Sequence, residues 1–299
     1  MKLYYDPRDQ RPGDRRGDLR LYWLDDLGAV PIAEAQPVDE GFLFAGARPV
    51  TDYARLVGGL PRLRDRPDER SVLLRLDSVL EAMERAGATV TSPRTWHLRL
   101  DAPLPRDLRY PLFLRTPQSS WKLGGKISRV RDERELREEC VALRRAFQWD
   151  ATILAREWLE LARAGESPHG PVPQEVRTWI VDRVPCAWSF HHLHVVPSPA
   201  GFPLASADVD KLSHGAIEVG RAFSSRLVVA DFARGTDGRW WFIEAGPGSC
   251  AGTGHEAVFK HVARTLLGEA SSLEAGSVGG PLIDRFMRGG HSSAVRERR

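Results

Sequence analysis

The chain has 299 residues, of which 42% are hydrophobic, so it can bury a substantial core in two or three packed lobes. Its 43 basic and 40 acidic residues are mixed along the sequence, and a net charge of +3 predicts no strong field for nucleic acid or anionic lipid. No apolar run approaches the roughly 18 residues of a membrane span. The sequence therefore predicts neither a nucleic-acid partner nor a membrane partner.

The cysteine content and the N-terminus indicate a compartment. Cys140, Cys186 and Cys250 are odd in number and widely spaced, with no CxxC pair, which disfavours a disulfide framework or a thiolate zinc site. The first residues lack the apolar stretch of a secretory signal. We therefore expect a cytoplasmic protein.

The first predicted elements lie in residues 1–105 and are mostly short. An apolar run predicts a strand over residues 41–45. The clearest element is a helix over residues 69–86, where apolar side chains recur at helical spacing, and Gly87 supplies its C-terminal stop. A strand over residues 89–91 is expected to follow.

A hairpin and a surface helix are predicted next. Apolar residues 110–115 and residues 126–130 predict two strands, and the polar, glycine-containing residues 116–125 predict a long tip between them. Residues 132–145 carry apolar side chains on one face only, which predicts a helix with Asp132 as its N-cap.

The remainder of the chain predicts four strands and two helices, followed by a tail. The predicted strands cover residues 175–181, 186–195, 226–232 and 239–245, the helices cover residues 215–223 and 255–267, and residues 202–211 are expected to be irregular. From residue 268 onward Ser, Gly, Arg and Glu dominate, which predicts a disordered tail.

Two carboxylates are expected to face each other in the last predicted hairpin. Asp237-Gly238 is a dipeptide favoured in two-residue type I′ turns, and counting outward from it places Asp231 directly opposite Glu244. Facing carboxylates repel, unless a divalent cation lies between them. Mg²⁺ is typically held by one or two carboxylates together with substrate phosphates, so the pair is a candidate magnesium site.

Two alternatives to this metal site remain open. Each acid could lie at a strand end in solvent and pair with an arginine. The strand register could also slip by one residue, which would place the two acids on opposite faces of the sheet.

A cationic segment precedes this hairpin by about a hundred residues. Arg115 ends a predicted strand, and Lys122 and Lys126 follow in a chain that contains only five lysines. Glycines in residues 119–125 permit close backbone approach, and cationic side chains neutralise phosphate charge. The segment is therefore a candidate phosphate-binding flap, with a solvated hairpin as the alternative.

Taken in chain order, these features resemble the ATP-grasp superfamily. The resemblance rests on the strand of residues 111–115 that ends in a cation, the flap, a hinge strand at residues 156–159, the acid-x-Arg pattern of residues 175–177, and the terminal hairpin with its two acids. Within the superfamily the chain resembles the R2K clade, in which one arginine and two lysines form the distinguishing cationic set.

The resemblance implies an α/β (α+β) fold in which two α+β subdomains grip ATP behind an N-terminal pre-ATP-grasp lobe. The implied domains are residues 1–105 for the lobe, residues 106–267 for the ATP-grasp domain with a split near residues 157–165, and residues 268–299 for the tail. Glu157 to Leu159 would hold the adenine with their backbone.

The resemblance also implies roles for individual residues. The implied ATP ligands are Arg115, Lys122, Lys126, Arg156, Glu157, Trp158, Leu159 and Glu175, the Mg²⁺ ligands are Asp231 and Glu244, and the catalytic cations are Arg177, Lys211 and Arg226. A surface salt bridge is the alternative for Lys211 and Arg226. Many members place Asn two residues after the metal-binding Glu, where this chain has Gly246, so a second metal would need Ser249 or water instead.

The implied reaction is ATP-dependent ligation of a carboxylate to an amine or a thiol through an acyl phosphate, with small-molecule or peptide substrates. Two alternatives stay open. The chain could be a kinase that transfers phosphate to a small acceptor, or a Mg·ATP-binding regulator without turnover. The oligomeric state is left open.

Overall fold

The computed structural model describes residues 1–9, 24–46, 48–99, 102–118, 129–146, 152–167, 170–190, 204–251 and 256–269. Lys122 and Lys126 of the predicted flap lie outside these residues, as do residues 191–195 and the predicted tail beyond residue 269. In the described part of the chain, no helix combines the length and apolar character needed to cross a membrane. All three cysteines are free thiols.

The N-terminal lobe is a parallel four-stranded sheet of order β2-β1-β3-β4 with a helix packed on it. Tyr4, Leu43 and Tyr53 are fully buried between the sheet and this helix, which is why so short a segment folds around a core of its own. The elements are β1 (Lys2–Tyr5), β2 (Val30–Pro31), β3 (Gly41–Phe44), α1 (Val50–Val57) and β4 (Leu63–Arg64).

The single helix predicted over residues 69–86 is instead two helices, α2 (Pro67–Leu73) and α3 (Leu76–Arg85). Arg75 is extended between them, and the amide of Leu76 donates to the carbonyl of Pro117 at 2.8 Å. The apolar periodicity continues across the break because both helices bury the same face, so the sequence pattern hides it.

The segment after α3 also differs from the prediction. Gly87 ends the helix with a φ of 69°, as expected. Residues 89–91 form no strand, because the amide of Thr89 donates to the carboxylate of Glu218 at 2.7 Å instead of joining a ladder. The strand lies farther on, as β5 (Thr95–Leu98).

The second sheet is antiparallel, with the order β5-β8-β6-β7, and a helix covers its apolar face. Its other elements are β6 (Leu112–Arg115), β7 (Arg129–Val130), α4 (Glu133–Ala146) and β8 (Ile153–Glu157). Asp132 caps α4 as predicted, since its Oδ1 accepts from the amide of Glu135 at 2.9 Å. Because β5 pairs with β8, this sheet begins before the predicted domain boundary at residue 105.

A small antiparallel hairpin, β9 (Arg163–Ser167) and β10 (Gly170–Pro173), lies between the second and third sheets in the chain and was not predicted. The third sheet is antiparallel and has the order β12-β11-β13-β14. Its elements are β11 (Glu175–Val181), β12 (Val184–Phe190), α5 (Ser206–Arg221), β13 (Leu227–Arg234), β14 (Trp240–Pro247) and α6 (Glu256–Leu267).

Helices and the N-terminal lobe cover both faces of the third sheet. One face packs on α5 and α3 through Val228 and Ala230, and the other packs on α6 and the N-terminal sheet through Leu227 and Val229. A strand buried on both faces is apolar throughout, as β13 is until Asp231.

Helix α5 begins nine residues before the predicted start at residue 215. Val209, Leu212, Ala216 and Val219 are buried along one face at helical spacing. The expectation that residues 202–211 are irregular is therefore wrong from Ser206 onward.

The hairpin that joins β13 to β14 has a longer turn than the predicted Asp237-Gly238 pair. The amide of Gly235 donates to the carbonyl of Arg239 at 2.8 Å, so three residues form the loop instead of two. Gly238 has a φ of 80°, which residues with a side chain rarely adopt. The predicted two-residue turn is wrong, and the ladder leaves this turn one residue out of the predicted register.

A β-bulge restores the predicted pairing of the two acids. The register shifts between Asp231 and Phe232, where Ile243 is the extra residue of β14. Arg156 of β8 donates to the carbonyl of Ile243 at 2.7 Å, which satisfies a carbonyl that the ladder leaves unpaired. Asp231 therefore lies opposite Glu244 as predicted, although through a different turn.

Candidate functional site

A row of three charged residues crosses the third sheet. Arg177 of β11 pairs with Asp231 of β13, and Asp231 pairs with Glu244 of β14. Directly opposed residues in neighbouring strands project from the same face, so the three side chains lie side by side. Arg177 donates to both oxygens of Asp231, from Nε to Oδ1 at 2.8 Å and from Nη2 to Oδ2 at 2.7 Å.

A fourth charged residue reaches this row from the second sheet. Arg115, at the end of β6, donates from Nη1 to Oε2 of Glu244 at 2.6 Å. The two sheets therefore meet at an ion pair, and each acid contacts an arginine. Asp231 is only 1% exposed, so it does not lie in solvent as the alternative to the metal site assumed, although pairing with arginine was foreseen in that alternative.

Arg156 adds a second arginine from the second sheet. Its guanidinium is 3% exposed and donates to three uncharged acceptors: the carbonyl of Ile243, Oγ1 of Thr95 at 3.2 Å and Oγ of Ser92 at 3.3 Å. Burial, and after it the nearby charge of Arg115, lowers the pKa of Arg156 to about 9. The residue remains protonated at neutral pH, as a buried cation held by neutral groups.

We call Arg115, Arg156, Arg177, Asp231 and Glu244 the junction cluster, because it lies where the second and third sheets meet. Three guanidinium groups and two carboxylates give it a net charge of +1. A buried excess charge is unfavourable unless another charge compensates it. An anionic ligand such as a phosphate would supply that compensation.

The electrostatics of Arg177 differ from those of Arg156. Burial disfavours its charged form, yet Asp231, with smaller effects from Glu244 and Glu175, raises the pKa of Arg177 above its ordinary value. Glu175 lies two residues before Arg177 on β11 and so projects from the same face of the sheet. The acid-x-Arg pattern therefore places both side chains on the face that carries the junction cluster.

The segment expected to hold adenine follows β8. The amide of Glu157 donates to the carbonyl of Arg94 at 2.8 Å, and the amide of Trp158 donates to the carbonyl of Pro111 at 3.2 Å. Both amides are thus engaged within the protein, and a ligand that used them would have to displace these contacts. Leu159 is half-buried and directly follows them. Adenine binding here remains a prediction.

The structure separates the two secondary catalytic candidates from the junction cluster. Arg226 precedes β13 and holds Asp182 through Nε and Nη2, at 2.7 and 2.5 Å, so it forms the salt bridge that was its alternative. Five residues of extended chain place it about 17 Å from Asp231. Lys211 is exposed on α5, which packs on the opposite face of the sheet.

Ser249, considered above as a substitute metal ligand, is turned away from this role. It is fully buried, and its Oγ accepts from Nη1 of Arg70 at 2.6 Å. Gly246 pairs with Val229 and lies on the same face as Glu244, and a Cβ atom at that position would find its nearest neighbours at 3.9 and 4.0 Å. The sheet therefore has room for a side chain where many relatives carry Asn.

The junction cluster offers two carboxylates for a metal. In the described ranges no group of three or more His, Cys, Asp or Glu side chains could hold an ion. A Mg²⁺ ion at Asp231 and Glu244 would therefore complete its six oxygen ligands with phosphates and water, which is how Mg²⁺ usually binds with nucleotides. The donor set fits that ion, provided that the arginine contacts are shared or released.

A second buried ionic cluster lies between the N-terminal lobe and the turn after β14. We call it the lobe cluster: Tyr53, Asp65, Arg70 and Ser249. Arg70 of α2 donates to Oδ2 of Asp65 at 3.1 Å, and neither side chain has measurable exposure. Its guanidinium also lies over the ring of Tyr53, 4.3 Å from the centroid, and donates to the carbonyls of residues 45 and 46.

Sequence reasoning missed the lobe cluster. One signal could have found it, since Arg70 lies three residues before the buried Leu73 and therefore on the apolar face of α2. An arginine on an apolar face needs a buried carboxylate nearby. The partner, Asp65, has a φ of 76°, a conformation that no local pattern marked.

Comparison with known proteins identifies the family. The model of the ATP-grasp domain of R2K clade family 3 matches residues 68–266, which is more than half of the chain. No match to a curated protein sequence was found.

Solved structures share the fold at low sequence identity. D-alanine–D-alanine ligase from Bacillus anthracis, complexed with ATP, has a TM-score of 0.57 at 14% identity and covers 96% of this chain and 98% of its own. N5-carboxyaminoimidazole synthase from Aspergillus clavatus, in complex with ADP and 5-aminoimidazole ribonucleotide, has a TM-score of 0.64 at 12% identity, with 93% and 79% covered. A RimK domain ATP-grasp protein from Sphaerobacter thermophilus DSM 20745 has a TM-score of 0.56 at 14% identity, with 90% and 99% covered.

These likenesses confirm the α+β ATP-grasp fold expected from the sequence. The family match covers the second and third sheets, the junction cluster and Arg70 of the lobe cluster. The chain belongs to the R2K clade of the ATP-grasp superfamily.

Proposed function

We propose that the protein is an ATP-dependent ligase that joins a carboxylate to an amine or a thiol. The observation that carries the proposal is the junction cluster, where an excess buried cation, Arg156, lies beside two adjacent carboxylates between two sheets. This arrangement suits a metal-bound polyphosphate. The similarity to a ligase complexed with ATP and to a synthase complexed with ADP supports the same reading.

The reaction has two steps. An oxygen of the substrate carboxylate attacks the γ-phosphorus of ATP, and the bond from that phosphorus to the bridging oxygen breaks, which yields an acyl phosphate and ADP. An amine or thiol then attacks the carbonyl carbon. Phosphate leaves with the bonding electron pair, and the proton of the nucleophile passes to solvent or a base.

The described arginines would act by charge and position. Arg115 and Arg156 would offset the negative charge of the phosphates, and Arg177 holds Asp231 in one orientation through two hydrogen bonds. Asp231 and Glu244 would hold Mg²⁺, which when bound supplies further positive charge to the transferring group. Lys122 and Lys126 remain candidates for the same work from the flap.

The proposal is tested by measuring Mg²⁺-dependent release of ADP and phosphate from ATP, with and without pooled amino acids and small carboxylates. Wild type should release both only with an acceptor, and Glu244→Gln should lose at least about a hundredfold in rate, since it removes a metal-binding charge. Arg131→Gln is the matched control, because it breaks an exposed Arg131–Glu135 pair far from the cluster along the chain. Tight ATP binding without release would contradict a ligase, and a stable phosphorylated acceptor would indicate a kinase.

One observation favours a second candidate, a Mg·ATP-binding regulator. Gly246 supplies no metal ligand where many relatives have Asn. Because the position has room for a side chain facing the same way as Glu244, Gly246→Asn should raise phosphate release if a missing ligand limits turnover. No gain in a variant that still folds and binds ATP, together with no release by wild type, would favour the regulator.

A further inference from the structure

The two acids of the junction cluster are held unequally. Both oxygens of Asp231 accept from Arg177, and the side chains of this pair are 2% and 12% exposed. Glu244 accepts from Arg115 through Oε2, and 23% of its side chain is exposed. The Arg115–Glu244 pair is therefore the more open of the two.

Arg115 also has little else that fixes it. Besides Glu244, its guanidinium donates from Nε to the carbonyl of its neighbour Thr116 at 3.3 Å, near the long end of hydrogen-bond distances. A guanidinium binds carboxylate and phosphate oxygens with similar geometry. Arg115 can therefore exchange one kind of partner for the other without a change in its chemistry.

The net charge of the cluster bears on metal binding. With Arg115 present, the cluster carries a charge of +1, which opposes the approach of a divalent cation. A guanidinium and a metal ion also compete for the same oxygen, Oε2 of Glu244. Free Mg²⁺ should therefore bind weakly until an anion draws Arg115 away.

We propose that Arg115 is an exchangeable counter-ion, which pairs with Glu244 before nucleotide binds and moves to a nucleotide phosphate afterwards. Glu244 then accepts a metal ion only together with the nucleotide. The inference rests on the proposed ATP site, and it adds a binding order and a specific role for one arginine. The protein would take up the metal–nucleotide complex as a unit and would hold little metal on its own.

The test measures two ligands separately in the full-length chain. Binding of Mn²⁺ alone is followed by loss of the free-ion electron paramagnetic resonance signal, and binding of ATP in the presence of a metal chelator is followed by calorimetry. In Arg115→Gln the affinity for Mn²⁺ should rise about tenfold, because the competitor and the excess charge are gone. The affinity for metal-free ATP should fall about tenfold, because a phosphate partner is lost.

Two variants guard this reading. Arg131→Gln removes the same charge from a surface pair, with Arg131 75% exposed, and should change neither affinity. Arg115→Lys keeps the charge and should leave Mn²⁺ binding close to that of wild type. Arg115→Met replaces Arg115→Gln if the latter does not melt cooperatively, and the same two shifts are expected of it.

The opposite shifts in the two affinities are the signature of exchange. Unchanged Mn²⁺ binding in both Arg115→Gln and Arg115→Met overturns the inference. If wild type nevertheless releases phosphate from ATP, the proposed function survives and this inference alone fails. If wild type binds no ATP, the proposed function fails and takes the inference with it.

Discussion

The junction cluster and the lobe cluster are both buried groups of arginines and carboxylates, and they differ in charge balance and closure. The lobe cluster pairs one arginine with one aspartate, and neither side chain is exposed. The junction cluster has one more cation than anion and includes a partly exposed glutamate. Burial of charge is thus no sign of function by itself. An excess of buried charge beside an exposed partner indicates a site built for a ligand.

The largest expected effect is on the lobe cluster. Arg70→Met leaves the Asp65 carboxylate buried without its cation, which should lower the free energy of unfolding by about 3–5 kcal/mol in urea titrations. Burial already raises the pKa of Asp65, and the loss of Arg70 raises it further, so the deficit should shrink as pH falls and the group is neutralised.

The control for this variant is Arg64→Gln, which breaks an exposed pair with Glu40 and should cost at most about 1 kcal/mol. An Arg70→Met variant as stable as Arg64→Gln would show that the lobe cluster does not hold the lobe in place.

A smaller effect is expected at the junction cluster. Arg156→Met leaves the carbonyl of Ile243 without its donor but also removes an uncompensated buried charge, so unfolding should change by only about 1–2 kcal/mol. The affinity for metal-free ATP should fall about tenfold, since a phosphate partner is lost. A loss of stability equal to that of Arg70→Met, with ATP binding intact, would make Arg156 structural and erase the contrast between the two clusters.

The smallest effect is expected at a third ionic group, on the edge of the N-terminal lobe. Although burial acts to raise it, hydrogen bonds from Arg8 and Arg48 lower the pKa of Asp6 to about 2. A carboxyl with a lowered folded-state pKa stabilises the protein above its unfolded pKa, and this contribution is lost as pH falls from about 4 towards 2. The fall in urea midpoint between pH 5 and pH 3 should be smaller in Asp6→Asn than in wild type. Equal falls would show that Asp6 does not contribute.

Local sequence patterns predicted most of the strands, because alternation and apolar runs depend on near neighbours. They failed where a distant group decides the outcome. The long helix over residues 69–86 is broken by a bond from Leu76 to Pro117, and the strand expected at residues 89–91 is prevented by Glu218. Neither partner is marked in the segment that it changes.

The candidate site shows the same limit. The pairing of Asp231 with Glu244 was foreseen through a two-residue turn, and the structure reaches it through a three-residue turn and a bulge. The bulge is supported by Arg156 from another sheet, which no reading of the hairpin alone could supply. The arginine partners of the two acids likewise come from distant positions, at separations of 54 and 129 residues. Sequence patterns can thus nominate an acid pair, but tertiary contacts decide its counter-ions.

The position of Arg70 bears on how this family can exchange parts. The family match begins at residue 68, so Arg70 lies inside it, whereas Asp65, Tyr53 and the carbonyls of residues 45 and 46 lie before it. A recombination breakpoint at residue 67 would inherit the cation from one parent and its surroundings from the other. Chimaeras between relatives should therefore fold only when both parents encode a matching pair at the positions of Asp65 and Arg70, which makes the lobe and the ATP-grasp domain a single unit of inheritance.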